Sequence, residues 1–294
     1  ELYPQLRDAL CTHGFLYAIN HGYTQAQHDR IFNIAGIPFN NVSPDEKKMY
    51  ADIEKVGYYA GYKPRQFWKV DTDNQILDQI LHPILRSVLL QVPSQCFSLR
   101  APLYSLIVLS LELPEETLVE KHNFDRTGET SVRFIKYYRC SNDEEEKSKN
   151  VWLKGHTDIG SITVLWSQPI GGLQIMAPDS KWKWVRHIDD GHRYRWILQA
   201  YDPLCHPAPP PPSDQCAYDR LGAYYFAMPD NDIRLLPCAE SPVLKRQCLD
   251  DDSSLCETWR KERTMLYGRT GLKSGVERGV EEEVIEGIVV KHYN

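Results

Sequence analysis

The sequence predicts an α+β protein, with a helical region first and then a β-rich core built as a barrel or sandwich. Three observations predict it. Up to about residue 125, apolar residues recur at helix spacing between capping signals. From about residue 131 the pattern changes to short aromatic and β-branched runs. Turn signals such as Pro178-Asp179 and Pro229-Asp230 separate those runs.

In the first region, Leu6, Leu10 and Cys11 share a helix face, and His13-Gly14 closes that helix. Phe15 to Asn20 is a short apolar strand ended by His21-Gly22. Thr24 has the hydroxyl needed to cap a helix carrying Ile31, Phe32 and Ile34. Ser43-Pro44-Asp45-Glu46 combines an N-cap, a proline at the first helical position and an acidic first turn. Pro114-Glu115-Glu116 repeats that start signal. Strands are then expected at 133–138, 161–166, 172–176, 182–185 and 222–228. The run Pro207 to Pro212 is a stiff extended segment, and Leu255 to Tyr267 is a helix ended by Gly268. The division that follows is 1–125 helical region, 126–237 β core and 238–294 helical tail.

Composition narrows the function classes. Of the 294 residues, 42% are apolar and 25% charged, an ordinary globular balance. A net charge of −6 without a basic stripe argues against a nucleic-acid partner. The eight cysteines are scattered singly, with no Cys-x-x-Cys pair, which argues against a zinc ribbon or a disulfide framework. The same cysteine pattern makes a reducing, cytoplasmic location the expectation, and the sequence as it stands, opening on Glu1 rather than Met, shows no signal-peptide pattern. The most apolar stretch, 84–113, is broken by Arg86, Pro93, Arg100 and Pro102, and no membrane span is expected.

His156-Thr157-Asp158 is the sharpest chemical feature. In extended backbone, residues i and i+2 point to one side, so an imidazole nitrogen and a carboxylate oxygen converge. That supplies two of the three donors of a 2-His-1-carboxylate iron site. A histidine and an aspartate satisfying a loop's backbone is the alternative for an isolated tripeptide.

The context decides between these readings. Gly155-His156-Thr157-Asp158-Ile159-Gly160-Ser161-Ile162-Thr163-Val164-Leu165 resembles the iron-binding strand of the isopenicillin N synthase-like branch of Fe(II)/2-oxoglutarate oxygenases. Gly171-Gly172-Leu173-Gln174-Ile175 and Trp182-Lys183-Trp184-Val185 fit that family in order and spacing. Upstream, Thr12 to Gly22 is similar to its N-terminal signature. Downstream, Arg220-Leu221-Gly222 falls where the family carries Arg-x-Ser. Fungal members are the nearest in pattern, and matching is weak over 72–110 and 186–206.

The resemblance implies a double-stranded β-helix (jelly-roll) core and Fe(II) and 2-oxoglutarate as cofactors. It implies oxidation of a small organic molecule by O₂: hydroxylation, desaturation or ring closure. It places the metal on His156 and Asp158 and the distal carboxylate of 2-oxoglutarate on Arg220, with Tyr138 as a further donor to it. His13 and His21 fall in the structural signature, and no protein partner follows.

One part of the pattern is broken. The family's second histidine stands in a context like Ile-His-Arg-Val, and no such motif occurs. The segment 186–206 is about ten residues too short and too polar for the two strands expected there, so part of a core strand is expected to be missing and its neighbours left unpaired. A back-translation of 196–206 shifted by one nucleotide yields a family-like histidine strand. Within the chain as written, His206 stands fourteen residues before Arg220 and is the candidate third ligand, with His192 behind it. The alternative reading is an oxygenase-like relic with an incomplete metal triad.

Overall fold

The computed structural model describes residues 2–51, 61–64, 69–71, 76–77, 80–85, 103–123, 126, 128–139, 141–147, 152–188, 196–200, 211–235, 238, 240–245, 255–266, 271–276, 280–285 and 287–293. The start and stop signals of the first region act as written. Helix α1 (Tyr3–His13) ends at Gly14, whose φ of 69° lets its N–H turn back to the Leu10 carbonyl. Helix α2 (Gln25–Asn40) opens on a complete capping box: the Thr24 hydroxyl accepts from the Gln27 N–H, and the Gln27 side chain accepts from the Thr24 N–H. Helix α3 (Pro44–Met49) is capped by Ser43.

Fourteen strands are described: β1 (Phe15–Ala18), β2 (Gly61–Lys63), β3 (Lys69–Asp71), β4 (Ile76–Leu77), β5 (Ile80–Leu85), β6 (Ser131–Tyr137), β7 (Ile162–Trp166), β8 (Gln174–Met176), β9 (Trp182–Trp184), β10 (Trp196–Ala200), β11 (Arg220–Ala227), β12 (Lys273–Ser274), β13 (Val280–Ile285) and β14 (Ile288–Tyr293). The principal sheet has seven antiparallel strands in the order β1-β10-β7-β11-β6-β5-β2. A β8-β9 ribbon, a β3-β4 ribbon and a three-stranded β12-β13-β14 sheet complete the set.

Two findings differ from the sequence expectation. The first region contributes β2 and β5 to the principal sheet as well as β1. The tail has the expected helix, Cys256–Leu266, but continues into β12 to β14, where Val280, Ile285 and Val290 are buried. A regular six-residue register between β13 and β14 satisfies the backbone there.

The period-2 pattern of the central strands sorts their side chains onto two faces. On the outer face, Val132, Phe134, Ile162, Val164, Trp166, Ala223, Tyr225 and Ala227 pack against Ile31, Ala35 and Phe39 of α2 and Tyr104 of the helix at 103–110. The i, i+4, i+8 spacing of the α2 residues makes one continuous stripe. On the inner face, Ile135, Tyr137, Leu165, Ile197 and Tyr224 pack against Leu173, Ile175 and Val185 at the β8-β9 ribbon. Removing the fully buried Phe134 ring should cost about 3–5 kcal/mol, because a packed core refills such a void only partly.

The segment expected to be defective is partly accounted for. Residues 196–200 form β10, which pairs along its whole length with β7 on one side and over 196–199 with β1 on the other. The expected unpaired edges at β1 and β7 are therefore corrected: an extended, apolar Trp196-Ile197-Leu198 supplies the ladder whatever its resemblance to the family. Residues 189–195 and 201–206 of the segment, including His192 and His206, lie outside the described residues.

Candidate active site

The inner face carries two groups of chemical interest, at separate places along the sheet. The first precedes β7. His156 Nε2 and Asp158 Oδ1 face each other at 3.7 Å, both side chains largely buried. Each is held from behind by a local partner. His156 Nδ1 lies 2.8 Å from the Lys154 carbonyl, which can only accept, so the proton sits on Nδ1 and the lone pair of a neutral ring on Nε2. The Thr163 hydroxyl, on β7, donates to Asp158 Oδ2 at 2.6 Å and turns Oδ1 toward the histidine. Two potential donor atoms, each oriented by a hydrogen bond on its far atom, match part of what a divalent metal asks of its ligands.

The second group belongs to β11. Arg220, Gly222, Tyr224 and Phe226 alternate onto the inner face, with Arg220 directly across from Tyr137 of β6. The Arg220 guanidinium is buried, with 8% of the residue exposed. Its Nη1 donates to the Tyr224 hydroxyl at 3.1 Å, its Nε donates to the Ile170 carbonyl at 3.4 Å, and it lies 5.3 Å from the Tyr137 ring centre. Among the described residues no carboxylate pairs with it. An uncompensated buried cation costs several kcal/mol, so this guanidinium suits an anionic partner. The guanidinium lines a cavity of about 20 Å³ together with Ser167, Gln168, Gly171, His187 and Tyr224. Burial, and next the adjoining Tyr224 hydroxyl, hold the Tyr137 phenol well above its ordinary value, so it stays protonated.

The two groups are joined through the sheet. Thr163, which orients Asp158, pairs across from Phe226, and Leu165 pairs across from Tyr224. One face thus carries both the His156-Asp158 pair and Arg220.

No family model matches the chain. It is 24% identical over 176 residues to a 2-oxoglutarate-dependent dioxygenase of Glarea lozoyensis, covering 54% of this chain and 52% of that protein. Its fold resembles that of a full-length Neurospora crassa protein solved in complex with α-KG and thymine, at a TM-score of 0.72 and 15% identity, covering 89% of this chain and 90% of that one. It also resembles JOX2, solved with 2OG, Fe and JA, at a TM-score of 0.67 and 18% identity, covering 92% of this chain and 83% of that one.

The chain is similar in sequence to 2-oxoglutarate-dependent dioxygenases, and its fold is the one shared by these solved structures.

Among the curated relatives, the matched regions span 52% to 65% of those proteins' own lengths. Within this dioxygenase fold, the structure brings His156 and Asp158 together and sets Arg220 on the inner face. Tyr138 goes elsewhere. It follows the last residue of β6, its ring lies 4.9 Å from Lys136 Nζ, and it does not line the Arg220 cavity. The tyrosines at the guanidinium are Tyr137 and Tyr224, because the cross-strand register puts position 137, and not 138, opposite Arg220. Strand parity within Arg133-Phe134-Ile135-Lys136-Tyr137-Tyr138 could have flagged Tyr137 only once the register with β11 was known. Tyr224 carried a signal of its own: it stands four residues after Arg220 in an alternating strand, hence on the same face. Among the described residues no group of three His, Cys, Asp or Glu side chains is placed to hold a metal, and His206 lies outside them. No described helix is long and apolar enough to cross a membrane.

Proposed function

We propose that this protein binds Fe(II) and 2-oxoglutarate and oxidises a small organic molecule with O₂, by hydroxylation, desaturation or ring closure. The observation that carries the reading is the buried Arg220, without a carboxylate among the described residues, on the same sheet face as the mutually oriented His156 and Asp158. The donor set fits the metal: a neutral imidazole nitrogen and a carboxylate oxygen suit Fe(II), and both are held by hydrogen bonds that leave those atoms facing one another. When bound, iron with 2-oxoglutarate supplies O₂ activation coupled to formation of succinate and CO₂.

In this reading the chain's own side chains have distinct tasks. His156 and Asp158 hold the metal, Lys154 and Thr163 fix their orientation, and Arg220 holds the distal carboxylate of 2-oxoglutarate through a charge-assisted pair. The apolar inner face, with Leu165, Ile197 and Val185, keeps water from the reacting centre. His206 is the proposed third ligand, supported by its position fourteen residues before Arg220. The comparisons lend no support to the inactive alternative.

The test is anaerobic Fe(II) titration followed by 2-oxoglutarate turnover to succinate, with uncoupled turnover measured because no substrate is specified. Fe(II) binding is expected to be lost in His156→Ala and in Asp158→Ala, and to weaken in His206→Ala. Parent-like Fe(II) affinity in the first two variants would remove the metal assignment. Parent-like affinity in the third would remove His206 alone.

A further inference from the structure

We propose that Tyr224 is the second anchor of the anion held by Arg220, taking the space and the hydrogen-bonding task of a side chain missing at position 222. The proposal rests on the reading of Arg220 as the seat of the 2-oxoglutarate distal carboxylate. Its own basis is a close approach in the sheet. A Cβ built on Gly222 would stand 2.5 Å from Tyr224 Cε2, 2.7 Å from its hydroxyl oxygen and 2.8 Å from Cζ. No side chain fits there while the phenol lies as it does. Gly222 and Tyr224 are alternate residues on one strand face, so the phenol folds back along β11 over the glycine and reaches the guanidinium at position 220.

The direction of the hydrogen bond decides what the hydroxyl can do. A guanidinium only donates, so the Tyr224 oxygen accepts from Arg220 Nη1 and its own O–H proton points away from that nitrogen. The neighbouring acceptor is Tyr137 Oη at 3.4 Å, the far limit of a hydrogen bond. A carboxylate seated on the guanidinium within this cavity would offer the Tyr224 O–H a charged acceptor at shorter range. Arg220 N–H and Tyr224 O–H then act as two donors to one anion, and acceptance from the cation makes the phenol the stronger donor. The site thereby selects a 2-oxo acid with a second carboxylate over one without.

The experiment measures anaerobic binding of 2-oxoglutarate and of 2-oxobutanoate, which lacks the distal carboxylate, to the Fe(II)-loaded full chain by calorimetry. Tyr224→Phe keeps the ring and its packing and removes only the hydroxyl. It should weaken 2-oxoglutarate by about ten- to a hundredfold, the range for a hydrogen bond to a charged group, and leave 2-oxobutanoate unchanged. Tyr224→Ala should weaken 2-oxoglutarate at least as much. Adding Gly222→Ser to it should restore part of the loss, because the vacated space then admits a hydroxyl beside the guanidinium. Equal weakening of both ligands in Tyr224→Phe would reduce the residue to packing and overturn the proposal. So would parent-like 2-oxoglutarate binding in Tyr224→Phe alongside a loss in Arg220→Ala, an outcome that leaves the Arg220 reading standing. A parent protein that does not prefer 2-oxoglutarate over 2-oxobutanoate would sink both.

Discussion

The two ends of the inner face are built in different ways. At the His156 end the orienting contacts described are local: the Lys154 carbonyl is two residues from His156, and Thr163 is five from Asp158. At the Arg220 end the setting is long-range: Ile170 lies fifty residues away in sequence, and Tyr137 reaches the guanidinium only through the pairing of β6 with β11. A local site forms wherever its own short segment adopts the right backbone. A long-range site needs the whole sheet in register, since a slip of one residue would turn Arg220 to the opposite face. The His156 end is therefore the more readable in sequence, and the Arg220 end is the more sensitive to the fold.

That contrast can be broken by experiment, beginning with the largest effect. Arg220→Ala should weaken 2-oxoglutarate binding by about 2–5 kcal/mol, the cost of truncating one member of a buried charge pair. It should leave Fe(II) affinity within about 0.5 kcal/mol, since the two groups share no direct contact. Calorimetry with each ligand checks this, and a comparable loss of Fe(II) affinity would show that the ends are one unit. A smaller effect is expected at the metal end. Thr163→Val conserves shape in the buried strand but leaves Asp158 Oδ2 without its donor, and Fe(II) affinity should fall about ten- to a hundredfold. Unchanged Fe(II) binding there would mean that the backbone alone aims Asp158.

The smallest effect concerns acid. His28 is buried under β7, with Nε2 at 3.1 Å from the Ser167 carbonyl, while the Ser167 hydroxyl meets His187 Nδ1 at 2.8 Å beside the Arg220 cavity. Burial, outweighing that carbonyl and Asp29, lowers His28 below its ordinary value of 6.5. The unfolded chain then binds the extra proton first. Stability from this group is complete above pH 6.5 and is lost as pH falls through 6.5 toward the lowered folded value. Thermal melts between about pH 8 and 5 should show this slope, and His28→Gln should flatten it. An unchanged slope would assign the acid sensitivity to other groups.

How much of the fold is legible follows the same division. Thr24, Ser43 and Gly14 announce helix boundaries because caps act on backbone groups within a few residues. The strands at 133–138, 161–166 and 222–228 are legible from alternation and β-branching. Trp196 to Ala200 is illegible because strand pairing depends on neighbours: judged by family pattern the segment reads as defective, yet β1 and β7 give it a ladder on both sides. Tyr138 rather than Tyr137 is singled out from sequence because adjacent residues in one strand differ only in which face they take, and that phase is weakly marked when both are tyrosine.

By itself, then, the sequence determined the change from helix to strand near residue 131, the same-side pairing of His156 with Asp158, and the alternation that keeps Arg220, Gly222 and Tyr224 on one face. All of these depend on backbone periodicity over short stretches of chain. Only the tertiary structure decided that Tyr137 lies across from Arg220, that the guanidinium is buried without a carboxylate among the described residues, and that the Tyr224 phenol fills the room above Gly222. Those facts are set by strand register and packing between distant segments, where a shift of one residue exchanges the two faces of a strand.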